Sequence, residues 1–182
     1  MTSLLIFVLG TALFGWVSRN ALLKPRSHGF YRFFAWECIL GLVVLNFPMW
    51  HTDPFAPHQL VSWLLLLTSP VLAIEAVRLL RKEGQPSTVR SGAELYSFEK
   101  TSALVTTGIY RHIRHPMYAA LLFLAWGAFL KDASVASVVL VAVASAMLLL
   151  TALRDEVECG EHFGAAYAEY MKVSKRFIPG VF

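Results

Sequence analysis

The stretch 133–153, ASVASVVLVAVASAMLLLTAL, decides the fold because it contains no charged residue and is long enough to cross a bilayer as a helix. A helix rises about 1.5 Å per residue, and the hydrocarbon core is about 30 Å thick. Of all 182 residues, 57% are hydrophobic and only 15% are charged. Soluble domains carry about 25% charged residues. The sequence therefore predicts an integral membrane protein with one domain, 1–182.

Four further apolar runs precede this stretch, so we predict an all-α membrane bundle with five transmembrane helices. The runs are 4–17, 33–50, 60–80 and 117–130. The first three place three spans within residues 1–80. The fourth run is short: from Pro116 to its end it measures about 22 Å as a helix. Proline suits the first position of a helix. Because only two residues separate the fourth and fifth runs, we expect a tight antiparallel hairpin.

The positive charges fall on alternate loops. Of the 16 lysines and arginines, all except Lys131 lie after the first run, at or after the end of the third run, or in the tail. The positive-inside rule then predicts an external N-terminus and a cytoplasmic C-terminus, in a bacterial inner membrane or an endomembrane. This topology explains the net charge of +4 without nucleic acid. The two distant cysteines, Cys38 and Cys159, predict neither a disulfide nor a metal site.

The tail and the third loop lie on the predicted cytoplasmic side. Apolar residues recur at helical spacing within 155–174, which predicts an amphipathic helix on the cytoplasmic surface. The segment 84–100, GQPSTVRSGAELYSFEK, has the glycine, proline and serine content of a polar loop.

Two carboxylates, Glu37 and Glu75, lie inside apolar runs. A carboxylate within a bilayer needs a partner. Arg32 is near the first, and Arg78 is three residues from the second, so we expect pairing. A role in a substrate channel is the alternative.

A first polar cluster, LVTTGIYRHIRHPMY at 104–118, directly adjoins the fourth apolar run. Polar groups in a membrane are costly and tend to be functional. Arginines and tyrosines also anchor helices at the interface, and Arg111 and His112 fit that role. His115 and Tyr118 lie one helical turn apart and face the same way, so they are the stronger functional candidates.

A second polar cluster, RDEVECGEHFGAAYAEY at 154–170, follows the last apolar run. Its acids suit a cation or an amine, or they stabilise a helix N-terminus through its dipole. Asp155 and Glu158 lie one turn apart, whereas Glu156 points elsewhere. The topology puts both clusters on the cytoplasmic side.

Together the clusters resemble the isoprenylcysteine carboxyl methyltransferase family and its phospholipid N-methyltransferase relatives. Those proteins share a segment of the form LVTxGxYxxxRHPxY, a membrane hairpin, an acidic pair, FGxxYxxY and a late proline. Here these stand as LVTTGIYRHIRHPMY, Asp155–Glu156, FGAAYAEY and Pro179. The resemblance covers residues 98–182, which we take as the catalytic half of the domain.

The resemblance implies a membrane enzyme that uses S-adenosylmethionine to methylate a lipophilic or small apolar acceptor, in contact with membrane lipid. The family usually has glutamate as the first acid of the pair, so either Asp155 or Glu156 contacts the cofactor. Carried over residue by residue, the implied cofactor-binding set is Leu104, Val105, Tyr110, His115, Pro116, Met117, Tyr118 and Asp155.

The acceptor stays open between a carboxylate, an amine and a thiol. The carboxyl methyltransferases carry an arginine one turn before the acid, where Thr151 stands here, and Arg154 is the neighbouring candidate to meet a carboxylate. An amine or thiol acceptor needs a base, for which His115 and Glu156 are the catalytic candidates. A non-enzymatic membrane protein that keeps the scaffold is the remaining alternative, and the oligomeric state is left open.

Overall fold

The computed structural model describes residues 2–85, 95–96 and 99–181, and it is built from helices. Within those residues, the one pairing of strand type is a parallel bridge between Ile113 and Lys175. The predicted all-α class is therefore confirmed. The helices are α1 (Thr2–Val17), α2 (Arg19–Leu22), α3 (His28–Asn46), α4 (Pro57–Glu83), α5 (Pro116–Phe129), α6 (Val135–Phe163) and α7 (Ala165–Val173), with 3-10 turns at Phe47–Met49 and Gly108–Arg111.

Among the described residues, three helical segments are long and apolar enough to cross a membrane. They are His28–Met49, Pro57–Glu83 and Val135–Phe163. Helices α1 and α5 are apolar but shorter. The count of five spans stays a prediction, because it needs both short helices to cross as well.

Helices α3 and α6 form an antiparallel pair that carries much of the core. At one end, the hydroxyl of Ser137 donates a hydrogen bond of 3.0 Å to the side-chain oxygen of Asn46. At the other end, the backbone N–H of His28 donates to the Glu158 carboxylate at 2.9 Å. Each bond joins the start of one helix to the end of the other, so the pair is fixed in register at both ends.

Helices α4 and α5 form the second antiparallel pair. The hydroxyl of Ser62 donates to the Gly127 carbonyl at 2.7 Å, and that of Ser69 donates to the Ala120 carbonyl at 2.8 Å. A Cβ at Gly127 would lie 2.8 Å from Leu66 Cγ, inside contact distance. Small and hydroxyl residues thus bring the two helices together, as is usual between membrane helices.

Polar residues gather at both ends of the bundle, but they differ in kind. One end carries the loops rich in arginine and histidine. At the opposite end, Lys131 is 3% exposed. Its ammonium donates to Gln59 at 2.9 Å and lies 3.4 Å from the ring centroid of Trp63. The ion is held by an amide and a π face, which suits a lysine at a membrane boundary.

Helix α6 extends beyond the expected end of the fifth apolar run. We expected the run to end near Leu153 and a separate surface helix to occupy 155–174. Instead α6 continues through the acidic cluster to Phe163 and breaks at Gly164, whose φ is +59°, before the shorter α7. The polar extension stays helical because its acids find partners on other segments, such as His28 for Glu158.

Of the two pairings predicted for carboxylates inside apolar runs, the structure shows one and not the other. Arg78 Nε donates to Glu75 at 2.9 Å, so that predicted pair is confirmed. The expected contact of Arg32 with Glu37 is wrong. Glu37 accepts a hydrogen bond of 2.7 Å from the Thr11 hydroxyl on α1, and Arg32 bonds elsewhere. The predicted polar loop 84–100 falls largely outside the described residues.

Candidate active site

The two polar clusters meet in one cavity of about 690 Å³, counting its open mouth, at the arginine-rich end of the bundle. The segment before α5, the polar extension of α6, and α7 form its walls, and Leu80 of α4 closes one side. The residues assigned to the cofactor by resemblance all line this cavity: Leu104, Val105, Tyr110, His115, Pro116, Met117, Tyr118 and Asp155.

His115 lies at the base of the cavity, between the two acids of the pair. Its side chain is only 4% exposed, and its ring stacks on Tyr118 with centroids 5.3 Å apart. Nδ1 is 3.5 Å from the Asp155 carboxylate, and Nε2 is 3.4 Å from that of Glu156. Nε2 is buried and makes no hydrogen bond within the described part of the chain. The predicted pairing of His115 with Tyr118 on one face is confirmed.

The two carboxylates control the protonation of His115. Burial alone would lower the pKa of this imidazole, but its contacts with Asp155 and Glu156 outweigh burial and raise the pKa above the ordinary value. An imidazolium donates protons in hydrogen bonds and does not accept them. The two carboxylates therefore favour the protonated imidazole, which donates to them, and the predicted role of His115 as a base stays a prediction.

Asp155 is the acid that faces the cavity. One carboxylate oxygen accepts a hydrogen bond of 3.0 Å from the Tyr118 hydroxyl. The other accepts from Cys159 Sγ at 3.5 Å. Its side chain is 20% exposed, so a ligand in the cavity can reach it.

The neighbouring acid, Glu156, is engaged by two arginines. Arg114 Nε donates to it at 3.0 Å, and Arg176 donates through Nε at 3.0 Å and Nη2 at 2.8 Å. Glu156 is not among the residues that line the cavity, and Arg154 is exposed on α6 away from it. The catalytic roles of Glu156 and Arg154 stay predictions, and of the two acids Asp155 is the one within reach of a ligand.

The C-terminal segment holds the wall of the cavity in place. The backbone N–H of Arg114 donates to the Lys175 carbonyl at 2.7 Å, and that of His115 donates to the Arg176 carbonyl at 3.2 Å. The hydroxyl of Tyr170 on α7 donates to the Tyr110 carbonyl at 2.5 Å. The tail thus sets the path of the backbone that leads into α5.

Residues that the sequence patterns did not indicate also contribute. Glu99 lines the cavity and binds Arg32 Nη1 at 2.5 Å. Burial would raise the pKa of the Glu99 carboxyl, but the charge of Arg32 and a bond with His28 hold that pKa below the usual value. His28 Nδ1 lies 2.5 Å from a carboxylate oxygen of Glu158. One ring nitrogen of His28 and one carboxylate oxygen each of Asp155 and Glu158 lie within 4.8 Å of one another. The pairs formed by Arg32 with Glu99 and by His28 with Glu158 follow no helical spacing.

A comparison with protein-family models identifies the chain. Residues 59–166, more than half of the chain, match the model described as phospholipid methyltransferase. No curated protein and no solved structure gives a significant match. The matched region runs from α4 to the start of α7, so it includes most of the cavity. The chain therefore belongs to the phospholipid methyltransferase family, integral membrane methyltransferases related to the isoprenylcysteine carboxyl methyltransferases.

Proposed function

We propose that this protein transfers a methyl group from S-adenosylmethionine to a lipophilic acceptor, in the cavity around His115 and Asp155. The observation that carries the proposal is the convergence of two distant sequence segments. The residues inferred by resemblance from 104–118 and the acid at 155 line the same cavity. We place this cavity at the cytoplasmic face, where a soluble donor and a lipid acceptor are both available.

The chemical groups in the cavity suit this cofactor. The Asp155 carboxylate complements an ammonium group. The faces of Tyr110 and Tyr118 attract a sulfonium cation.

The chemistry comes from the cofactor, which supplies an electrophilic methyl group on sulfur. The residues of this chain bind, orient and exclude water. Asp155 is fixed by the hydroxyl of Tyr118 and by the imidazole of His115. Because these groups are already held in position, little ordering is needed when the reactants bind, which favours in-line transfer.

The acceptor that we favour is a phospholipid amine. Its ammonium must lose a proton before the nitrogen attacks the methyl group, and among the described residues that line the cavity the carboxylates of Asp155 and Glu99 can accept that proton. At the position where a carboxylate acceptor would meet an arginine, Thr151 is buried, and its hydroxyl donates to the Met147 carbonyl of its own helix at 2.7 Å. Arg154 is exposed and does not line the cavity. A prenylcysteine carboxylate and a thiol are the competing acceptors.

The test is calorimetric titration of the detergent-purified protein with S-adenosylmethionine and with its demethylated product. We expect Asp155→Asn to weaken S-adenosylmethionine binding about 10-fold or more, because it removes a charge-assisted hydrogen bond. The matched control is Glu161→Gln, which neutralises an exposed acid on the same helix and should leave affinity unchanged.

Two results would contradict the proposal. Folded wild-type protein that binds neither compound at millimolar concentration would contradict the methyltransferase function. Equal affinities for the Asp155 and Glu161 variants would contradict the site but not the function. Transfer of labelled methyl to phosphatidylethanolamine, compared with a prenylcysteine substrate, identifies the acceptor.

A further inference from the structure

A second cavity lies between the two helix pairs. It is a groove with α4 and α5 on one side and α1 and α3 on the other. Ala73 on α4 and Leu121 and Leu124 on α5 form its apolar part. Within the described residues, α4 packs extensively against α5 and makes few contacts, if any, with α1 and α3. The groove is therefore a gap in the bundle, and its walls are apolar helices, of which α3 and α4 are long enough to cross a membrane.

The groove shares a wall with the cavity of the proposed active site. Met117 and Tyr118 line both spaces. The hydroxyl of Tyr118 bonds Asp155, which faces the first cavity. A molecule in the groove would thus lie against the residues that separate it from the methyl donor.

One end of the groove is polar. Among the described residues that line it, Arg32 alone carries a formal charge. The Arg32 side chain is 4% exposed, and its guanidinium lies 4.5 Å from the ring centroid of Tyr96 and 5.5 Å from that of Trp36. Nη1 donates to Glu99, whereas a guanidinium has five N–H donors. A charge that lines a space between membrane helices is typical of a ligand pathway.

The groove has the polarity of a lipid and, along α5, room for part of one acyl chain. From Met117 to Leu124 it follows α5 for about 10 Å at 1.5 Å per residue. Its lining changes from Arg32 and Tyr96 at one end to leucine and alanine at the other. A phospholipid has the same order, with a phosphate at the base of an acyl chain.

We propose that this groove binds an acyl chain of the phospholipid acceptor and that Arg32 binds the lipid phosphate. This inference rests on the proposed methyl transfer to a lipid. The guanidinium is planar and forms bidentate bonds to phosphate, so Arg32 serves as a specificity-determining residue for the acceptor. Glu99 holds the same guanidinium from the side of the first cavity.

The test uses quenching of tryptophan fluorescence by lipids with brominated chains, in detergent and without S-adenosylmethionine. Trp36 lines the groove, and Trp36→Phe gives the background from the other tryptophans. The two probes are brominated phosphatidylethanolamine and diacylglycerol with the same chains. We expect the phospholipid to reach half-saturation at a concentration about 10-fold lower, because only it carries the phosphate.

Variants then assign the preference to Arg32. Arg32→Gln should abolish the difference between the two lipids, and Arg32→Lys should keep part of it. Glu99→Gln removes the carboxylate that competes for the guanidinium, so it should keep or increase the preference for the phospholipid. Equal half-saturation of wild type by both lipids would overturn the proposal, and that comparison holds even where Arg32→Gln fails to fold. An unchanged preference in folded Arg32→Gln would also overturn it.

The lipid experiment is separate from the test of methyl transfer. Protein that prefers the phospholipid but binds no S-adenosylmethionine would contradict the proposed function and uphold the lipid site. Protein that binds S-adenosylmethionine but shows no lipid preference would contradict the lipid site alone.

Discussion

At the scale of single residues, the position of His115 between two carboxylates makes stability depend on pH. Its pKa lies above the ordinary value of 6.5 in the folded protein. The folded state therefore holds the proton more tightly than the unfolded chain does. This contribution to stability is complete below about pH 6.5 and is lost as the pH rises through the folded pKa.

We expect the thermal unfolding midpoint of the wild type in detergent to fall as the pH rises above about 6.5. His115→Gln removes one titrating group and should reduce that dependence. The control is His112→Gln, which changes an exposed histidine three residues away. Equal pH dependence in the His115 variant and the wild type would show that the His115 proton is not coupled to folding.

Site residues that are related by helical spacing could be predicted from the sequence, and site residues without such spacing could not. His115 and Tyr118 are three residues apart, so their shared face followed from the sequence. Arg32 and Glu99 are 67 residues apart, and Glu99 lies in a polar loop with no period. Such a pair is created by the packing of the bundle, and single-sequence patterns carry no signal for it.

At the scale of helices, α5 and α6 show what the pattern of apolar residues specifies. Proline at the first position fixed the start of α5, as expected. The end of α6 was not predicted, because the polar run after Leu153 has the composition of a surface segment. Helix continues there because Glu156 and Glu158 bond Arg114 and His28 from other parts of the chain. Tertiary contacts thus override the local signal.

Two glycines in helices allow a matched test of the α4–α5 contact. A Cβ at Gly127 would lie 2.8 Å from Leu66 Cγ and 3.2 Å from its backbone nitrogen, whereas at Gly160 nothing lies within 4 Å. We expect Gly127→Ala to destabilise the protein by about 1–3 kcal/mol through overpacking. Gly160→Ala should stabilise it by about 0.5–1 kcal/mol through helix propensity. Thermal unfolding in detergent measures both.

The sign of the difference is the informative result. If Gly127→Ala is as stable as Gly160→Ala, the two helices do not approach closely at that point.

At the scale of the whole molecule, the loops that carry the arginines meet at one end of the bundle. Arg32 on α3, Arg114 before α5 and Arg176 in the tail all bind acids at that end. Lys131 lies at the other end, against Gln59 and Trp63. The charge bias that predicted the topology is therefore the same asymmetry that builds the proposed active site.

The orientation and the number of spans can be tested together by labelling single cysteines with a membrane-impermeant maleimide. In a Cys38→Ser, Cys159→Ser background, exposed positions are replaced one at a time. Thr52→Cys should react in intact cells, and Lys172→Cys only after permeabilisation, because the positive-inside rule places the arginine-rich end in the cytoplasm. The reverse pattern would contradict the predicted orientation.

Helix α1 decides the count, because it is apolar but short. Five spans put the N-terminus outside, so Ser3→Cys should react in intact cells like a cysteine at 52. If α1 lies along the cytoplasmic surface, Ser3→Cys reacts only after permeabilisation, like Lys24→Cys just beyond α2. The second outcome would leave at most four spans and would keep the orientation of the remaining helices. The groove between α3 and α4 would then lose α1 as a membrane-embedded wall.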